Sequence, residues 1–185
     1  TWDDIGDGKW NLTGKGTKET FRADGKIKSC QTGTWGDIGD GRGFTGNGIQ
    51  EDFRVDGTIE RRSIGTWDDI GDGKWNLTGK GIQENFRADE TIERRYTGTW
   101  DDIGDGKWNL TGKGTKETFR ADGTIERRYT GSWGDIGSGG RGLTGKGTQE
   151  DFRADRTIEK RQTGTWGDMG DGRYGLTGDG HSRIP

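Results

Sequence analysis

The sequence predicts an all-β protein: tandem β-hairpin repeats forming a single-layer antiparallel meander, as an open stack or a closed barrel. Three observations lead there. A tryptophan recurs every 32 or 33 residues, as Trp2, Trp35, Trp67, Trp100, Trp133 and Trp166. Glycine, 39 residues in all, interrupts the chain every few positions, which disfavours helix. Within each period Thr, aromatic and Ile positions alternate between Asp-Gly pairs, the pattern of strands and turns. Periods of this size mark units that bury each other's faces.

The repeats run 1–33, 34–65, 66–98, 99–131 and 132–164, with a partial repeat at 165–185. The fullest reads TWDDIGDGKWNLTGKGTKETFRADGTIERRYTG, residues 99–131. About two strands per repeat make a meander of eleven or twelve. One hairpin lies in TFRADGTIER. A two-residue Asp-Gly loop would put Phe119 opposite Glu126 and mix the faces. A three-residue loop of Ala121, Asp122 and Gly123 pairs Phe119 with Ile125 and Glu117 with Arg127, with Gly in the left-handed position. The same register pairs Phe53 with Ile59 and Glu51 with Arg61, Phe86 with Ile92 and Glu84 with Arg94, and Phe152 with Ile158 and Glu150 with Lys160. Repeat 1 pairs Phe21 with Ile27 but sets Glu19 against Ser29, without a charge pair. Glu90 and Arg156 replace the loop glycine, at about 1–2 kcal/mol if the geometry is kept. A second reversal lies in DDIGDG.

Tyr96, Gly98 and Trp100 share one face of their strand; Trp108, Leu110, Gly112 and Gly114 share one face of the next. Bare glycine in a strand marks the close approach of another group. Tyr and Trp rings are therefore expected over the Gly-x-Gly of a neighbour. Aliphatic residues are scarce, but nine Trp and six Phe supply large apolar contacts from few positions.

These elements, YTGTW (Tyr96, Gly98, Trp100), TGKG (Gly112, Gly114) and Asp122-Gly123 before Tyr129 and Gly131, resemble a MORN-type repeat. The resemblance implies stacked hairpins in one curved sheet, with aromatics against glycines, serving as an interaction platform for proteins or lipid headgroups. The unit here is longer, with extra residues in DDIGDGKWN and TIERR, and Gln31, Ser63 and Gln162 stand in the Tyr place. Charges are balanced, net -3 with 33% charged residues, so a basic lipid-facing surface does not carry over.

The same balance leaves no basic stripe for nucleic acid, and no apolar run reaches the length of a membrane span. Cys30 is the only cysteine and stands where other repeats have Arg or Lys, an ordinary strand substituent. His181 is the only histidine, no Ser or Cys nucleophile has a base near it in sequence, and carboxylate pairs recur in every repeat as structural features do. The chain is expected not to be an enzyme. Asp68, Asp69 and Asp72, and again Asp101, Asp102 and Asp105, offer closely spaced carboxylates in a Gly-containing loop that suits calcium; Asp-Gly turn chemistry explains the same residues. Trp10–Asn11, Trp75–Asn76 and Trp108–Asn109 combine a stacking surface with an amide, which suits glycans bound at one weak site per repeat. The alternative is that these rings pack in the sheet. Asn11, Asn76 and Asn109 also lie in N-L-T sequons. Thr-Gly-Thr recurs before most tryptophans, but a flat uncharged ice face is not expected beside Glu93 and Arg95. The reading is a protein partner or self-assembly, with glycans as the alternative ligand and no cofactor beyond calcium.

Overall fold

Alternation broken by Asp-Gly pairs gives strands joined by tight turns. The computed structural model describes residues 2–4, 10–12, 14–37, 42–71, 74–102, 108–135, 141–168, 174–177 and 181–183. Side chains are described over 14–36, 44–68, 77–101, 111–134, 143–167 and 175–177. The chain divides into two compact units, Thr1–Glu90 and Thr91–Pro185. In the first, β1 (Trp2–Asp4) pairs with β2 (Trp10–Leu12). Five strands follow as an antiparallel meander: β3 (Gly14–Phe21), β4 (Ile27–Asp37), β5 (Arg42–Phe53), β6 (Ile59–Gly71) and β7 (Lys74–Phe86). The second unit continues with β8 (Ile92–Asp102), β9 (Trp108–Phe119), β10 (Ile125–Asp135), β11 (Arg141–Phe152) and β12 (Ile158–Asp168). Two short strands, β13 (Tyr174–Leu176) and β14 (His181–Arg183), both pair with β12. The fold is all-β, built of consecutive hairpins, and within each unit the strand path is open. Among the described residues no helix is long and apolar enough to cross a membrane.

The three-residue turn is present. Phe21 pairs with Ile27, Phe53 with Ile59, Phe119 with Ile125 and Phe152 with Ile158. The Arg120 amide donates to the Thr124 carbonyl at 2.8 Å and the Gly123 amide to the Arg120 carbonyl at 3.1 Å. Gly123 has φ 79°, and Glu90 and Arg156 hold the same left-handed conformation at 63° and 69°.

The charge pairs shift by one. Just past each Phe–Ile pair a bulge takes up one residue, Glu60, Glu126 or Glu159. Glu51 therefore faces Arg62 rather than Arg61, Glu117 faces Arg128 rather than Arg127, and Glu150 faces Arg161 rather than Lys160. Lys28 plays this part in the first hairpin, so Glu19 faces Cys30 and Thr20 faces Ser29.

In each unit the core is made of apolar side chains over glycine. Glycines pair across strands as Gly33–Gly48, Gly65–Gly81 and Gly131–Gly147. Over these pairs lie Phe44, Leu77 and Leu143, each from the strand that supplies the second glycine; a Cβ on Gly48 would stand 2.1 Å from the Phe44 ring. The side chain folds back over its own strand because an intervening glycine is left-handed, as at Gly46, φ 69°. The tryptophans close the core. Their indole N–H groups donate to glycine carbonyls: Trp35 to Gly16 (3.3 Å), Trp67 to Gly48 (3.3 Å), Trp133 to Gly114 (3.0 Å) and Trp166 to Gly147 (3.1 Å). Phe44 is fully buried between Trp35 and Trp67, ring centroids 5.2 and 5.1 Å away. Of the rings expected on glycine, tryptophan meets the expectation through its indole N–H on a glycine carbonyl, while the side chains lying over the glycine pairs are Phe44, Leu77 and Leu143. Tyr96 and Tyr129 stand edge-on to Trp100 and Trp166 at 6.5 Å.

The hairpin-turn end is bound by arginine. Arg62 reaches Glu51 at 2.8 Å and Glu84 at 3.9 Å, while Arg128 reaches Glu117 at 2.9 Å and Glu150 at 3.6 Å. The same guanidinium groups lie 5.4 Å over the rings of Phe86 and Phe152. A second arginine staples neighbouring turns. Arg22, Arg54 and Arg120 each donate to the Ile carbonyl of their own hairpin, Ile27, Ile59 and Ile125, and to the Phe carbonyl of the next repeat, Phe53, Phe86 and Phe152. Charge-assisted bonds to carbonyls that end a strand satisfy groups the ladder leaves over.

Candidate functional site

At the end opposite these turns, the strands lead to the DDIGDG segments, where the second reversal expected from the sequence lies outside the described residues. Backbone register there brings the glycan and calcium candidates to one place. Asp3 lies opposite Asn11 and Asp4 opposite Trp10; Asp68 lies opposite Asn76 and Asp69 opposite Trp75; Asp101 lies opposite Asn109 and Asp102 opposite Trp108. Each of these three tips therefore carries two aspartates on one strand and the Trp-Asn pair on its partner. Asp68 and Asp101 are exposed. The side chains of the Trp-Asn pairs and of Asp69 and Asp102 lie outside the described residues, as do Asp72 and Asp105 altogether. Among the described residues no group of three or more His, Cys, Asp and Glu is placed to hold a metal ion.

The other tips differ. Gly36 faces Gly43 and Asp37 faces Arg42; Gly134 faces Gly142 and Asp135 faces Arg141; Gly167 faces Gly175 and Asp168 faces Tyr174. An aspartate remains at each, but the amide is replaced by glycine and the tryptophan by arginine or tyrosine.

Trp35, Trp67, Trp100, Trp133 and Trp166 are 2 to 7% exposed, with their rings spent in the core and closed to stacking on a ligand. The side chains of Trp2, Trp10, Trp75 and Trp108 lie outside the described residues.

The sheet faces hold further recurring polar rows that the sequence reading did not single out. Gln31 donates to Gln50 at 3.0 Å, and Gln50 to Asp52 at 3.2 Å; Gln149 reaches Asp151 at 3.2 Å, beside Arg127 at 2.5 Å from the same carboxylate. Lys116, in the same row, has its pKa lowered, first by burial and then by Arg94 and Arg127. On the opposite face a threonine ladder runs Thr97, Thr115, Thr130, Thr148 and Thr163. Its Thr148 and Thr163 hydroxyls are 3.0 Å apart, in a shallow groove with Lys146, Gly147, Gly164 and Thr165. The ladder lies one step from the Arg–Glu row, Arg95 opposite Glu117, so charge borders the threonines as the sequence indicates.

Comparison with models of known protein families and with curated proteins finds no match for this chain.

Proposed function

We propose that this chain is a non-catalytic, multivalent binding and scaffold protein that mediates protein interaction or assembly through its repeated hairpins. The observation that carries the reading is the rebuilding of one interaction set, hairpin after hairpin: Phe–Ile pair, Arg–Glu rung, arginine staple and glycine pair. Such repetition presents the same groups on successive hairpins within each unit, which suits a partner or lattice with a matching repeat. The resemblance to MORN-type repeats supports the same role. Light scattering across a concentration series is the test: mass that grows with concentration, or a stable complex with a protein partner, is expected. A single-chain mass throughout, with no partner retained, counts against it.

A second reading, a multivalent lectin with one site per repeat, draws support from the tip register that sets Trp75 and Asn76 against Asp69 and Asp68. A glycan array run with calcium and with a chelator tests it. Trp75→Ala with Trp108→Ala is expected to abolish binding while the sheet stays folded, and retained binding removes those residues from the site.

A further inference from the structure

A Gln-x-Asp pair recurs on the sheet face that carries Tyr96 and Tyr129, and β9 departs from it. β5 presents Gln50 and Asp52, and β11 presents Gln149 and Asp151. Each aspartate takes an arginine from the strand opposite, Arg61 at 2.7 Å and Arg127 at 2.5 Å. At the same places β9 has Lys116 and Thr118, a cation for the amide and a hydroxyl for the carboxylate.

Register surrounds this pair with positive charge. Lys116 lies between Tyr96 of β8 and Tyr129 of β10, and Thr118 lies between Arg94 and Arg127 of the same strands. Strands about 4.8 Å apart set the two arginine backbones about 10 Å from each other across β9, a gap their long side chains can span. Arg94 keeps Glu93 at 3.3 Å and Arg127 keeps Asp151. Lys116 is half-buried, with its ammonium 5.6 Å over the Tyr96 ring. Among the described residues it makes no ion pair, and the charges that act on it are the two guanidinium groups. A partly buried cation beside like charges is unfavourable until an anion meets it. Guanidinium, ammonium and hydroxyl donors side by side suit an oxyanion that accepts several charge-assisted hydrogen bonds at once.

We propose that the Lys116–Thr118 place on β9 is a binding site for a tetrahedral oxyanion, a phosphate or sulfate group, held by Lys116, Arg94 and Arg127 with the Thr118 hydroxyl as a further donor. The anion supplies on β9 the negative charge that Asp151 supplies on β11. This site goes beyond the scaffold reading and does not depend on it.

The test is an NMR titration of the intact chain with inorganic phosphate, inorganic sulfate and methyl phosphate in separate arms, at constant ionic strength set by sodium chloride. One saturable site is expected, with shifts centred on the amides of β8, β9 and β10 around Thr118. Tighter binding of methyl phosphate than of inorganic phosphate identifies an esterified group as the better occupant, and the reverse order identifies the free ion. Lys116→Gln puts on β9 the residue that β11 carries as Gln149, and weakens binding by about tenfold. Thr118→Asp supplies the carboxylate from within the strand and abolishes binding. Both replacements stand at the matching places on β11, so the variants are expected to fold, with circular dichroism as the check. Absent saturation in all three arms, shifts shared by the lysines of every repeat, or affinity unchanged in either variant overturns the proposal.

Discussion

Residues 1–25 and 99–123 are the same twenty-five amino acids, yet β3 and β9 within them live differently. Phe21 is open to solvent and Phe119 is buried; Glu19 faces a cysteine and Glu117 sits between two arginines. Local sequence makes both strands and both turns. The neighbour on the second side makes the ladder. In this fold much of a side chain's stabilisation is thus contributed by residues a repeat away.

The comparison can be broken first at the aromatic. Phe119→Ala should cost about 3 kcal/mol in urea denaturation, whereas Phe21→Ala should cost under about 1 kcal/mol. Equal costs would mean that the arginine-covered site gives no added burial. At the carboxylate the effect is smaller: Glu117→Gln should lose about 1–2 kcal/mol as two guanidinium partners weaken, and Glu19→Gln should leave stability unchanged. The turns allow a gain. Glu90→Gly and Arg156→Gly relieve left-handed backbone held by a residue with a Cβ, and each should add about 1 kcal/mol; no gain would show that the side chains offset the strain.

Two substitutions sharpen the contrast further. Cys30 lies opposite both Glu19 and Glu51, so Cys30→Arg rebuilds a rung and should raise the unfolding free energy in urea denaturation by about 0.5 kcal/mol. A drop would show that the bulged edge cannot seat the guanidinium. The smallest effect concerns pH. The Asp122 carboxyl is held below its usual range, first by the Thr124 hydroxyl at 2.6 Å and then by the Thr124 amide. Its folded pKa being depressed, the stabilisation is complete above the ordinary carboxyl value and is lost as pH falls through the lowered one. Thr124→Val should lessen the loss of stability between pH 6 and pH 3. An unchanged difference would place the acid sensitivity elsewhere. The first hairpin already lacks that hydroxyl, because Lys26 follows the loop glycine there and offers Asp24 only its amide at 3.1 Å.

Much of the fold was legible because its signals are local. The tryptophan period, the Asp-Gly turns and the need to put Phe119 opposite Ile125 fixed strands, loop length and the first pair. The bulge was not legible. Glu126 reads as one more alternating residue, and only the pairing beyond it reveals that Arg128 takes the place expected of Arg127. Nor did the pattern show that Phe44 and Leu143 fold back over the glycine pairs, since that depends on a left-handed glycine two residues on. The arginine staples escaped for a similar reason: they end on carbonyls, which every residue has. At the tips the candidate residues were each found in sequence, but their convergence required the register that sets Asp69 against Trp75.

Amide hydrogen exchange followed by NMR, which separates the two identical segments by their sequential neighbours, tests the claim that neighbour strands rather than local sequence set the character of β3 and β9. Along β9 every strand amide should be protected. Along β3 every second amide, those turned away from β4, should exchange much faster than its partner in β9. Equal protection of both strands would contradict the account.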